Sequence, residues 1–114
     1  MRTLAELALF LALAFFVITH AKAETCRASY YGFESGKRTA NGERFNPNGL
    51  TIALRSPPRG ERYRVTYRGR SVIVRHNDFG PAIRTRCADL SLGAARALGL
   101  VRPGIGLITI ERMK

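Results

Sequence analysis

The sequence predicts a mainly β domain, a small closed barrel carrying one short helix. Three observations lead there. From Cys26 onward, short runs rich in β-branched and aromatic residues are cut by Gly, Pro and Asn turn signals. Only "SLGAARALGL" has a helical composition together with both end signals. The strand runs do not divide into the clean alternation of two packed sheets, and closure into a barrel leaves no exposed edge.

The elements follow in chain order. "CRASYYG" alternates and carries Tyr30 and Tyr31, so it reads as the first strand. "SGKRTANGERFNPNG" is a long turn-rich connection whose Asn41-Gly42 and Asn48-Gly49 pairs favour left-handed or primed-turn geometry. "LTIAL" is a short apolar strand, and "RSPPRGE" is a turn. "RYRVTY", Arg68-Gly69 and "RSVIVRHN" make a hairpin, and "DFGP" is the turn after it. Ser91 caps the helix, Ala94, Ala95, Ala97 and Leu98 build it, and Gly99 ends it. "GIGLITIER" supplies the last strand.

The 114-residue chain opens with Arg2, an uncharged apolar run from Leu7 to Ile18, and Ala21-Lys22-Ala23, an A-x-A site. That is the order of a secretory leader. The run is shorter than the roughly 20 residues a membrane-spanning helix needs. Residues 1–23 are therefore expected to be a signal peptide, and 24–114 one exported barrel domain, periplasmic or extracellular. No cysteine follows Ala23 directly, so no lipid anchor is expected. Cys26 and Cys87 both lie in the exported part, where a disulfide is expected.

Lysine and arginine number 19 against 8 aspartates and glutamates, a formal net charge of +11. Such a charge favours polyanionic partners, or serves as a solvated surface. Export argues against nucleic acid and for an envelope polymer. A cysteine pair in a disulfide and one exported histidine, His76, do not make a metal site. No phosphate-binding glycine loop is present, so no cofactor is expected. The domain is expected to be a monomer.

Four stretches, in order from Ala28 to the C-terminus, carry a resemblance. "ASYYG", "RTANGERFNPNGLTIALR", "RVTYRGRSVIVRHNDFGP" and "ADLSLGAARALGL" resemble the RlpA family of lytic transglycosylases. The resemblance implies a six-stranded double-psi β-barrel related to expansins. It implies endolytic cleavage of peptidoglycan glycan strands, naked strands preferentially, to 1,6-anhydro products in cell-wall organisation. Two positions depart from the family pattern: Leu54 stands in place of a histidine and Phe79 in place of an arginine. The alternative is a non-catalytic, expansin-like module that binds glycan or loosens the wall.

Breaking a glycosidic bond needs a proton for the leaving oxygen and a negative charge near the oxocarbenium-like centre; carboxyl groups supply both. Carboxyl groups are scarce here. Glu24 and Glu111 sit near the ends of the domain, and Glu34 and Glu61 lie in turn-like segments without a motif. That leaves Glu43, Asp78 and Asp89. By resemblance Asp78 is the catalytic aspartate and Glu43 its partner; by their local sequence alone, Asp78 could only cap its own turn, and Glu43 could be a surface charge paired with Arg44 or Lys37. Asp89 resembles the groove aspartate of expansins and also precedes the helix cap, where it could favour the helix N-terminus. Tyr30 or Tyr31 could stack on sugar, only one of them, because neighbours on a strand point opposite ways. Of the two, Tyr30 is the expected contact. Thr39, Asn41 and Asn77 are candidate partners for glycan hydroxyls, Thr39 and Asn41 equally turn residues. His76, two residues before Asp78, could share a strand face with it and stand in for the missing histidine.

Overall fold

A computed structural model describes residues 22–32, 36 and 38–113. The expected leader lies outside the described residues except for Lys22 and Ala23. Six strands, β1 (Ala23–Tyr31), β2 (Thr51–Leu54), β3 (Arg62–Tyr67), β4 (Arg70–Phe79), β5 (Ala88–Ser91) and β6 (Ile105–Arg112), close into a barrel in the order β1-β5-β2-β4-β3-β6. Among the described residues one helix, α1 (Leu92–Leu98), packs on it. The expected barrel is the observed one.

Pairs β1–β5 and β2–β4 are parallel, and the other four contacts are antiparallel. Among the described strands, only β3 and β4 form a hairpin. Its two turn residues, Arg68 at φ 46° and Gly69 at φ 82°, are both left-handed, as a two-residue primed turn requires.

Inward-facing Ile52, Val65, Val74, Leu90 and Ile108 fill the barrel, with Leu98 and Leu100 closing one side; each is at most 1% exposed. Each such side chain contributes roughly 1.5–3 kcal/mol by leaving water. Cys26 and Cys87 are joined, with Cα atoms 5.9 Å apart, and the bridge ties β1 to the chain just ahead of β5.

Ser91 secures the helix start. Its hydroxyl accepts from Ala94 N (3.2 Å) and Thr51 N (3.1 Å) and donates to Gly49 O (2.6 Å). Gly99 ends the helix at φ 75°, as expected for a left-handed cap. At Gly93 a Cβ would lie 2.5 Å from Asn48 O and 2.7 Å from Gly49 O. Only glycine lets the 46–49 loop settle against the helix.

Three boundaries differ from expectation. β1 begins at Ala23, three residues before the expected first strand, because Ala23 pairs with Glu111. β4 runs through Asp78 and Phe79, which were assigned to a turn; they are held by pairing to Ala53 and Leu54. "ADLS" is a strand in its own right, β5, clamped between β1 and β2.

Candidate active site

β2 lies between β5 and β4, and its Ala53 is paired with Asp89 on one side and Asp78 on the other. Both aspartates therefore stand on the outer face of the same three strands. They line an open cleft of about 210 Å³ with Tyr31, Phe79 and the Gly80–Ala82 segment. Alanine at position 53 leaves the floor between them low.

A bulge turns Asp78 outward. Ile52 pairs with His76 and the next residue, Ala53, pairs with Asp78, so Asn77 is an extra residue in β4. Simple alternation would put His76 and Asp78 on one face. Instead His76 is 0% exposed and sits behind the strand. Its Nε2 donates to the Asp78 carbonyl at 2.9 Å, and its Nδ1 faces Glu61 Oε2 at 3.4 Å. His76 therefore does not stand in for the absent family histidine at the cleft. Leu54 is paired with Phe79, so among the described residues no imidazole reaches the cleft.

The Asp78 carboxylate is held by three donors. Ala40 N and Phe79 N reach Oδ1, both at 2.9 Å, and the Tyr31 hydroxyl reaches Oδ2 at 3.2 Å. Tyr31 stacks on Phe45, ring centroids 4.8 Å apart. Burial, and after it the charge of Asp78, push its phenol well above the ordinary range. Tyr31 stays a donor to the carboxylate. Asp89 accepts from the Ser29 hydroxyl, which in turn accepts from Arg86 Nη1 at 3.1 Å. The expected contact of Asp89 with the helix start is replaced by this link to β1, and Ser91 does the capping.

Glu43 lies on the loop 38–44, which docks on β4 through Asn41 N to Asn77 O at 3.2 Å. Its two oxygens accept from Arg75 Nη1 and Nη2 at 2.5 and 2.9 Å, a two-pronged ion pair. Asn41 Nδ2 adds a bond of 2.8 Å. The Arg75 hydrogen bonds hold the Glu43 carboxyl down at about 2 against the opposing effect of burial, with smaller help from Asn41 and Asn77. Its partner is Arg75 rather than Arg44, and Lys37 lies outside the described residues.

Other expected contacts are placed differently. Tyr30 is not brought to the cleft: it packs against the core, and its hydroxyl donates to Val101 O at 3.1 Å. Tyr31 takes the groove face. Thr39 and Asn41 bond mainly within their own loop, Thr39 Oγ1 to Asn41 Oδ1 at 2.5 Å and Glu43 N to Asn41 Oδ1 at 3.2 Å. Asn77 is 2% exposed and shapes the bulge rather than facing the cleft. Sequence reasoning missed Arg75, Ser29 and the Ala40 amide. Arg75 is one arginine among many on a strand, and nothing local marks it.

The sequence matches the lytic transglycolase family over residues 23–110. It is 53% identical over 89 residues to the probable endolytic peptidoglycan transglycosylase RlpA of Nostoc sp., covering 74% of this chain and 24% of that protein. It is 41% identical over 93 residues to the endolytic peptidoglycan transglycosylase RlpA of Neisseria meningitidis, covering 79% and 39%. The chain thus spans well under half the length of these relatives. Among solved structures, the Streptomyces papain inhibitor aligns with TM-score 0.70 at 22% identity, covering 86% of this chain and all of that one. The apo expansin of Clavibacter michiganensis aligns with TM-score 0.68 at 22% identity, covering 82% and 51%. A mutant of that expansin, solved with cellohexaose, aligns equally well. At such identities the likeness concerns the fold alone. The family match over nearly the whole barrel, and the relatives that share it, make this chain a member of the lytic transglycolase family, with the double-psi β-barrel fold its four motifs resemble.

Proposed function

We propose that this domain cleaves peptidoglycan glycan strands as an endolytic lytic transglycosylase, exported to the periplasm or cell exterior, where its disulfide suits an oxidising compartment. The observation that carries the reading is the pair of carboxylates flanking Ala53 in one open cleft. Asp78 gives a proton to the leaving glycosidic oxygen as the bond to the anomeric carbon breaks. The sugar's own 6-hydroxyl then attacks that carbon and returns a proton to Asp78, leaving a 1,6-anhydro end and no net change in the enzyme. Asp89 supplies negative charge toward the oxocarbenium-like centre. Phe79, 60% exposed at the rim, offers a stacking face for a sugar ring. Glu43 holds its loop to Arg75 and so positions the Ala40 amide on Asp78. Ionised and paired, it has no proton to deliver.

The second reading, glycan binding without turnover, is favoured by the lack of an imidazole at the cleft among the described residues, with Leu54 beside Phe79 and His76 buried behind. Incubation with naked glycan strands, followed by mass spectrometry, separates the two. Anhydro-ended fragments from the wild type and none from Asp78→Asn support the enzyme. Binding without fragments from either protein supports the module.

A further inference from the structure

The half of the barrel away from the cleft, β3-β6-β1, carries a groove of about 700 Å³ that the proposed reaction does not use. Two arginines border it. Arg27 on β1 is registered to Leu107 on β6, and Arg68 projects from the β3–β4 turn with its guanidinium 5.5 Å from the centre of the Tyr67 ring. Among the described residues neither guanidinium meets a carboxylate. Between them the lining is apolar: Tyr67, Pro103, Ile105 and Leu107. Ile105 and Leu107 are 42% and 61% exposed.

Arg68 stands where its backbone gains nothing from being arginine. Its φ of 46° is left-handed, at the first position of a turn that favours Asn, Asp or Gly. Non-glycine residues held there cost energy and concentrate at functional positions. The strain leaves a cation at the mouth of an apolar groove.

The chemistry selects the ligand. Planar guanidinium groups match carboxylates in two-pronged fashion. The aliphatic floor matches small apolar side chains. A groove of this size falls in the range of roughly 300–1,000 Å³ that holds compact ligands, such as a short peptide. A phosphodiester polymer would leave the apolar floor unused, and a concave groove does not suit a flat bilayer. We propose that the groove between Arg27 and Arg68 binds the acidic stem peptides of peptidoglycan, short peptides bearing carboxylates and small aliphatic side chains. The source of the peptide rests on the function proposed above. The two halves of the barrel then engage different chains, a naked strand in the cleft and a peptide-bearing neighbour in the groove.

The test is a titration of the isotope-labelled protein with the tripeptide alanyl-γ-glutamyl-diaminopimelate, read by NMR. Cosedimentation with cell-wall sacculi, before and after enzymatic removal of their peptides, accompanies it. The expected result is a set of saturable shifts at Ile105–Leu107, with Kd at least tenfold weaker in Arg68→Gly and in Arg27→Gln, and sacculus binding that falls once peptides are removed. Arg68→Gly is expected to keep or raise Tm, because glycine accepts the left-handed turn, so lost binding would not reflect lost folding. Equal Kd in wild type and both variants overturns the proposal. So does binding to anionic phospholipid vesicles with none to the tripeptide. Asp78→Asn should still bind the tripeptide, so the failure of the cleavage reading and the failure of this one are separately visible.

Discussion

Asp78 and Asp89 are paired with the same residue, Ala53, from opposite sides. The backbones that carry the two carboxylates, on the strands flanking β2, are thereby fixed by sheet pairing. Their surroundings differ. Asp78 is held by two backbone amides and a phenol, Asp89 by a hydroxyl. Asp78→Asn is expected to lower the initial rate of glycan cleavage on the order of 10²–10⁴-fold. Asp89→Asn, which removes only a stabilising charge, is expected to lower it on the order of 10²-fold. Rates on naked glycan strands check both, and a larger loss in Asp89→Asn than in Asp78→Asn would contradict the assigned roles.

Glu43 makes the loop acid-sensitive. Its folded value, about 2, lies below its ordinary 4.5. The ion pair therefore stabilises the fold above pH 4.5, and the contribution is lost as pH falls from 4.5 toward 2. Glu43 is 34% exposed and Arg75 43%, so solvent limits the pair to under about 1 kcal/mol. Glu43→Gln should cost no more than that at pH 7 and should flatten the stability loss in this window. Urea unfolding at several pH values measures it.

Phe79 should matter for binding and not for folding. Its ring is 60% exposed, so Phe79→Ala removes little buried surface. Loss of a stacking face is worth about 0.5–1.5 kcal/mol, or roughly 2- to 13-fold in Kd for naked glycan, with Tm unchanged. Calorimetric titration alongside a melting curve tests both halves of the expectation.

Gly93→Ala should be costly despite being a glycine-to-alanine change in a helix. The added methyl meets two backbone carbonyls inside 3 Å, and backbone cannot swing aside. A loss of about 1–3 kcal/mol is expected, with faster amide exchange at Gly49 and Thr51. A variant as stable as wild type would show that the 46–49 loop is not seated on the helix.

Much of the barrel was legible because its turns are marked. Gly42 after Asn41 and the Arg68-Gly69 pair stand where a left-handed backbone is needed, and Gly99 ends the helix; Asn48-Gly49, expected to do the same, has no left-handed residue. β5 was not legible, because four residues, Ala88–Ser91, look like the approach to a helix until β1 and β2 pair with them. The cleft followed the same division. Asp78 and Asp89 stood out as rare acids inside motifs. The choice between Tyr30 and Tyr31 depended on strand phase, and the position of His76 depended on a bulge that no local pattern announces. Arg75 became meaningful only when a loop from far along the chain set Glu43 against it.

The strand order also sets a timetable for the chain's assembly. The β3–β4 hairpin joins sequence neighbours and can form early. β1 has no partner until much later residues arrive, because Cys26 is registered to Ile108 and Ala28 to Ala88. Such distant pairings are slow to find. A chain emerging N-terminus first must keep β1 waiting, hydrogen-bonded to water and open to wrong neighbours, until the last strand is delivered.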